Sequence, residues 1–322
     1  MAMAQLLTTG LLLLAAMAAL ILGLGRGIWP ALIFAAPAAL FLVRLFAIQH
    51  DCGHGSFFRS RRVNDRLGRA LGVLTLMPYG FWRRTHAVHH ATSGNLDRRG
   101  TGDVTTLTVK EYLSQPRWRR LCYCLYRHPL VLLGVGPAYL LLIRYRIPTG
   151  NPLRNWDSWL SILGTNAVAT AMVAGAALVV GVGVFLLAYG VVLLLATSIG
   201  VWLFYIQHQF EDGYWEAEPQ WAFRAAALQG SSFYDLPRVL HWLTGSIGFH
   251  HIHHLASKIP NYHLRACFAD TPAFQQVERL SIWDGFKCLR LALWDEETRK
   301  LVSFRYVARY GHFPARQSRR GE

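Results

Sequence analysis

Nine histidines in this chain have the spacing of metal ligands. His50 and His54 are four apart in HDCGH. His86, His89 and His90 read HxxHH, and His250, His253 and His254 repeat that pattern within GFHHIHHL. On a helix, residues at i, i+3 and i+4 share one face, whereas His251 is turned about 100° from His250. The ninth, His208, stands alone in YIQHQFED. Neutral imidazole is a common ligand for zinc, iron and copper, and an i, i+4 pair presents two ligands to one ion. Nine are too many for one ion, while two ions with four or five ligands each would use them all. A structural zinc closes at four ligands, so a redox pair fits better, and iron also activates O₂. Spacing alone leaves zinc and manganese open.

Carboxylates able to orient imidazole N–H groups are few: Asp51, Asp103, Glu211, Asp212 and Asp235. Asp51, Glu211 and Asp212 rank first because they lie inside or next to a histidine group. The other five histidines read as packing or surface residues. His128 precedes Pro129, His241 and His251 flank the third group, and His263 and His312 lie in soluble-looking sequence. No acid–base dyad and no Ser/His/Asp arrangement is suggested.

The elements that must carry these groups are apolar. Of 322 residues 53% are hydrophobic, and Ser158–Gln207 holds no charge. About 20 apolar residues already span a bilayer core, so this is an integral membrane protein. The reading is all-α: four spans at about 5–24, 28–49, 158–179 and 184–207, with a helical cap from 50–157 and 208–322, in one domain over 1–322. The first run is expected to be a retained anchor, since no basic residue precedes its apolar core.

Leu71–Phe81 is too short to span and reads as interfacial. Leu130–Ile143 is also short, about 21 Å as a helix, and contains Pro137, which suggests a re-entrant or interfacial piece. Lys110–Arg127 reads as one surface helix. Arg44 is placed to snorkel toward headgroups. Four crossings bring all the histidines to one face; a fifth would separate His250–His254 from the rest.

The net charge is +15, and apart from Arg26 the Lys and Arg residues lie in Arg44–Arg127, Arg144–Arg154 and after His208. Basic loops mark the cytoplasmic side, so both termini and the histidines are expected there. No nucleic-acid module stands outside the apolar runs, which excludes that function class. The five cysteines form no CxxC pair, and reduced, non-ligating thiols are the expectation.

With these residues in place, the chain resembles the membrane-bound fatty acid desaturases, and within them the bacterial acyl-lipid, delta-12/omega-6-like branch. The likeness rests on HDCGHGSFF at His50–Phe58, WRRTHAVHHATSGNLDRRGTGDV at Trp82–Val104, LHWLTGSIGFHHIHHL at Leu240–Leu255, and YIQHQFED at Tyr205–Asp212. HxxxH, HxxHH, HxxHH is that family's three-box signature. The resemblance implies a four-span architecture whose cytoplasmic cap holds a dimetal centre, normally two ferrous irons, bound by the boxes plus one extra histidine. His208 fits the extra role. Animal acyl-CoA desaturases have Asn four residues before that histidine, where this chain has Phe204.

The resemblance further implies O₂ as co-substrate and a cis double bond introduced into an acyl chain drawn from the bilayer. With no cytochrome b5 haem motif and no ferredoxin cysteine set, electrons should come from a separate ferredoxin-like or cytochrome b5-like protein. The basic face would suit an acidic ferredoxin. A bacterial inner membrane is the expected location. A hydroxylase or ketolase of the same superfamily, acting on a lipid, carotenoid or alkane, is the nearest alternative. A non-catalytic membrane metal-binding or transport protein is a remote one, because it would place ionisable residues along the spans.

Overall fold

The computed structural model describes residues 1–148 and 155–310. Among the described residues, four helices are long and apolar enough to cross a membrane: Ala2–Gly25, Trp29–His54, Trp156–Val180 and Val182–His208. The second and fourth spans end on metal-ligand candidates, His54 and His208. The chain is mostly helical, and the rest of it forms a cap of shorter helices at that end.

The first span buries a narrow stripe, Gln5, Thr9, Leu13, Ala16, Leu20 and Leu24, whose spacing of three and four residues is one helix face. That stripe lies on the second span, and the other faces keep exposed leucines such as Leu7, Leu11 and Leu14. The second span is the central one, burying almost every residue from Leu42 to Cys52. Arg44 is buried rather than extended toward headgroups. Its Nε donates to Thr9 Oγ1 at 3.1 Å, and its guanidinium lies 4.1 Å from the centre of the Trp242 ring.

Gly55, at φ +68°, ends the second span in the left-handed conformation that favours glycine. The chain then turns into the helix Arg61–Leu74. A short turn at Thr75–Pro78 leads to the helix Tyr79–Thr92, which carries the second histidine group. Leu71–Phe81 is therefore not one continuous piece but the end of one helix, a turn and the start of the next. The hinge is pinned by Tyr79, whose hydroxyl lies 2.8 Å from both the Cys52 carbonyl and Asp65 Oδ1. A Cβ at Gly68 would collide with the Tyr79 ring, so the two helices can close only over glycine.

Lys110–Arg127 is two helices, Val109–Ser114 and Arg117–Tyr126. Pro116 breaks it, because it has no N–H to donate and restricts Gln115 to extended geometry (φ −73°, ψ 148°). Beyond it, Leu130–Ile143 winds as two π-helical turns, Val131–Val135 and Leu140–Arg144, around the short α-helix Gly136–Tyr139. Pro137 sits in that middle helix, and its missing donor suits a local change of hydrogen-bond register. This segment meets Arg117–Tyr126 at 61°, and only the two together are long and apolar enough to cross a membrane.

The cap also holds short strands that the sequence does not announce. Leu107–Thr108 runs parallel to Leu291–Asp295, which pairs antiparallel with Lys300–Ser303. Phe233–Tyr234 pairs parallel with Arg279–Leu280. The helix His250–Leu255 carries the third histidine group, and its approach is close: a Cβ at Gly248 would collide with the Tyr234 carbonyl.

Candidate metal centre

The nine histidines converge in two adjoining groups. His50, His54, His86, His90 and His253 form one; His89, His208, His250 and His254 form the other. Within each, one ring nitrogen per residue lies within 4.8 Å of all the others. The two HxxHH boxes divide in the same way. The i, i+4 pair, about 40° apart on a helix, stays together: His86 with His90, and His250 with His254. The i+3 residue crosses over, His89 to the four-histidine group and His253 to the five-histidine group. His90 and His254 stack at 4.2 Å between ring centres where the groups meet.

Hydrogen bonding alone cannot satisfy this packing. His86 Nε2 lies 2.9 Å from His50 Nε2 and 3.1 Å from both His54 Nε2 and His90 Nε2. A ring nitrogen offers one proton or one lone pair, so His86 Nε2 can satisfy only one of these three contacts. In the other group, His208 Nδ1 donates to the Gly230 carbonyl at 3.1 Å and His89 Nδ1 donates to the Asp103 carboxylate. Each bond leaves Nε2 as a lone pair directed inward. His208 Nε2 then meets His250 Nε2 at 2.9 Å, and His89 Nε2 and His254 Nε2 are buried with no hydrogen-bond partner among the described residues. Two imidazoles at right angles on one ion, with bonds of about 2.1 Å, bring their nitrogens to about 3.0 Å. The residues therefore fit two metal ions, five ligands on one and four on the other.

Burial prepares the ligands. His86, His90, His250, His253 and His254 are held well below the ordinary imidazole pKa, first by burial and then by the neighbouring imidazoles. They are neutral at pH 7 and ready to bind metal. Trp82 stacks on His86 at 4.7 Å between ring centres and a 16° interplanar angle, closing that side.

Of the ranked carboxylates, Asp51 lies beside His50, with Oδ1 3.6 Å from Nδ1. Its other oxygen accepts from the Asn261 backbone N–H at 2.7 Å and side-chain amide at 2.8 Å. Gln5 of the first span donates to Asn261 in turn, at 2.9 Å. Glu211 and Asp212 do not reach a histidine. The helix stops at His208, and both exposed carboxylates lie 3.0 Å from Lys300 Nζ. Asp235 pairs with Arg279. Asp103, ranked lower, is the carboxylate that holds His89. Gly102 makes that possible: at φ +78° it lies so close to the His89 helix that a Cβ would sit 3.2 Å from both His89 Cβ and the Thr85 carbonyl.

The remaining histidines stay outside. His251 packs against Phe233, Phe268 and Phe274. His241 stacks on Phe249, His128 is exposed, and His263 packs on Tyr262. His312 lies outside the described residues. Phe204 packs against His89 and His208, at 5.0 and 5.2 Å between ring centres, so an apolar ring borders the four-histidine group. Asn261 and Gly230 carry no signal in the sequence and are brought to the site only by the fold, whereas Trp82 stands four residues before His86, on the same helix face.

The comparisons agree with this geometry. The profile of the Fatty acid desaturase family matches residues 27–285. A Bacillus subtilis protein named Fatty acid desaturase is 46% identical over 270 residues, covering 84% of this chain and 76% of that protein. The sn-1 acyl-lipid omega-3 desaturase (ferredoxin) of Synechocystis is 29% identical over 264 residues, 75% of this chain and 68% of its own. The acyl-lipid omega-3 desaturase (cytochrome b5) of Arabidopsis thaliana endoplasmic reticulum is 29% identical over 251 residues, 74% and 62%. The match takes in all three histidine boxes and the lone His208, and the chain belongs to the fatty acid desaturase family.

Proposed function

We propose that this protein is an O₂-dependent membrane desaturase that introduces a cis double bond into an acyl chain, in a lipid of the bilayer. The observation that carries the reading is the division of nine histidines, each buried or partly buried, into groups of five and four at one end of four apolar spans. His50, His54, His86, His90 and His253 would hold one iron, and His89, His208, His250 and His254 the other. Two ferrous irons so held would supply the reduction of O₂ and the oxidising power to take hydrogen from an unactivated methylene and then from its neighbour.

The chain's own residues supply position and dryness. Asp103 and the Gly230 carbonyl fix the tautomers of His89 and His208. Asp51, held by Asn261, stands beside His50. Trp82 and Phe204 place aromatic rings against the two groups and exclude water. In the overall balance the acyl chain loses two hydrogens. O₂ takes these two protons and two electrons, together with two electrons from a donor protein and two further protons from water, and leaves as two waters.

The donor is a separate ferredoxin-like or cytochrome b5-like protein. Relatives whose names carry "ferredoxin" and "cytochrome b5" support that class of partner. Basic residues flanking the spans support a cytoplasmic cap and termini, in a bacterial inner membrane.

Expression in a host that lacks polyunsaturated lipids, followed by gas chromatography–mass spectrometry of its fatty acids, tests the proposal. New dienes are expected, and their fragmentation places the double bond at an omega-6 or another position. Hydroxylated chains, or an unchanged profile beside metal-loaded protein, would overturn it.

A further inference from the structure

A groove of about 950 Å³ opens between the end of the Arg117–Tyr126 helix and the hairpin of Leu291–Asp295 and Lys300–Ser303. Pro129, Leu289, Val302 and Phe304 give it apolar walls. Five cationic side chains but one carboxylate, Glu211, line it. Two of the cations are already paired: Lys287 with Asp284, and Lys300 with Glu211 and Asp212. Arg127 forms the floor. The remaining two, Arg290 and Arg305, are exposed and have no acidic partner among the described residues.

The floor leads directly to the four-histidine group. Buried Arg127 donates through Nη2 to Gln209 Oε1 at 2.7 Å, to the Tyr205 hydroxyl at 3.1 Å and to the Leu291 carbonyl at 3.0 Å. Tyr205 also donates to Leu291, at 2.7 Å. Gln209 follows His208 directly in the chain and lines one cavity with it, so the floor of the groove is hydrogen-bonded to the neighbour of a metal-ligand candidate. Unpaired cations beside apolar walls suit a protein surface that combines apolar contacts with acidic side chains.

We propose that this groove is the docking surface for the reduced electron carrier, a small acidic one-electron protein, with Arg290 and Arg305 as the cations that recognise it. The inference rests on the desaturase reading. Each encounter oxidises the carrier by one electron, which crosses the Arg127–Gln209 layer toward His208. Two encounters supply the two donor electrons of the balance above, and the carrier leaves without giving up a proton.

The test uses the full chain in nanodiscs and a plant-type [2Fe–2S] ferredoxin. Binding is measured directly, and turnover is measured with ferredoxin and with dithionite. The Arg290→Glu, Arg305→Glu double variant should weaken ferredoxin binding by about tenfold or more and flatten its salt dependence. Dithionite-driven turnover and metal content should stay at the wild-type level, and Arg290→Lys should retain most of the binding. Binding within twofold of wild type would overturn the proposal. So would equal losses with both reductants, or an effect seen only when the anionic lipid content is changed, which would assign the groove to a lipid headgroup. Wild-type protein that binds ferredoxin in this charge-dependent way but makes no product would support the docking surface and count against the desaturase reading.

Discussion

The Nδ1 of His89 donates to the carboxylate of Asp103, fourteen residues further along the chain. That bond fixes which nitrogen of His89 faces the four-histidine group, and it ties the loop after the second histidine box back onto its own helix.

Asp103→Asn should therefore weaken metal at the four-histidine group, by about 10–100-fold. An amide can still accept from His89, but it no longer supplies the charge that raises the ligand's basicity. Metal analysis across a chelator series should show one of two ions leaving early while the other is held as in wild type. Simultaneous release of both would contradict the division into separate groups.

The sorting of ligands from neighbours is tested by a pair of substitutions. His208→Ala should lower metal content by about one ion per chain and abolish product, because it removes one of only four ligands. His251→Ala should keep both ions, since its ring lies among Phe233, Phe268 and Phe274, and His312→Ala should keep both metal and activity. Equal losses in all three would reject the assignment.

A third prediction concerns the clasp over the Asp103 loop. Arg99 donates to the Leu96 and Thr106 carbonyls and to both oxygens of Glu111. Its hydrogen bond, more than any other effect, holds the Glu111 carboxyl below its ordinary range, and the Thr108 backbone N–H adds to this. A carboxylate with a lowered native pKa lends stability that is full above the unfolded value of about 4.3 and is lost as pH falls through the native value. Hydrogen exchange of the 96–111 segment should be flat from pH 7 to about 5, after correction for intrinsic rates, and rise below that. Glu111→Gln should remove the step. Because the carboxylate is partly exposed, the effect should be local.

Tyr79→Phe should destabilise the hinge by about 1–2 kcal/mol, since a buried hydroxyl bonded to Cys52 and Asp65 is lost. Thermal unfolding in detergent should fall by a few degrees, with metal content retained. Loss of metal instead would show that this hydroxyl positions His50 and His54 as well as the helix.

Much of the site was legible because helix spacing is a local property. An i, i+4 pair must share a face wherever the helix goes, so His50/His54, His86/His90 and His250/His254 could be read as ligand pairs. The four spans were legible for a similar reason: a bilayer demands length and apolarity, and both are written along the chain. Pro116 is itself a local signal, and it splits Lys110–Arg127 into two helices.

What the chain order could not disclose depends on where distant segments meet. Glu211 and Asp212 are neighbours of His208 in sequence, but the helix ends at His208 and the chain swings them out to Lys300. Asp103 is far from any ligand in sequence, and Gly102 folds it onto His89. The strands are mostly two residues long, too short to show a period, and exist only because their partners arrive. Sequence alone determined that nine imidazoles would gather at the end of four spans. Tertiary packing decided that His89 and His253 trade places between the boxes, because only the meeting of the His86 and His250 helices brings each lone residue to the other pair's group.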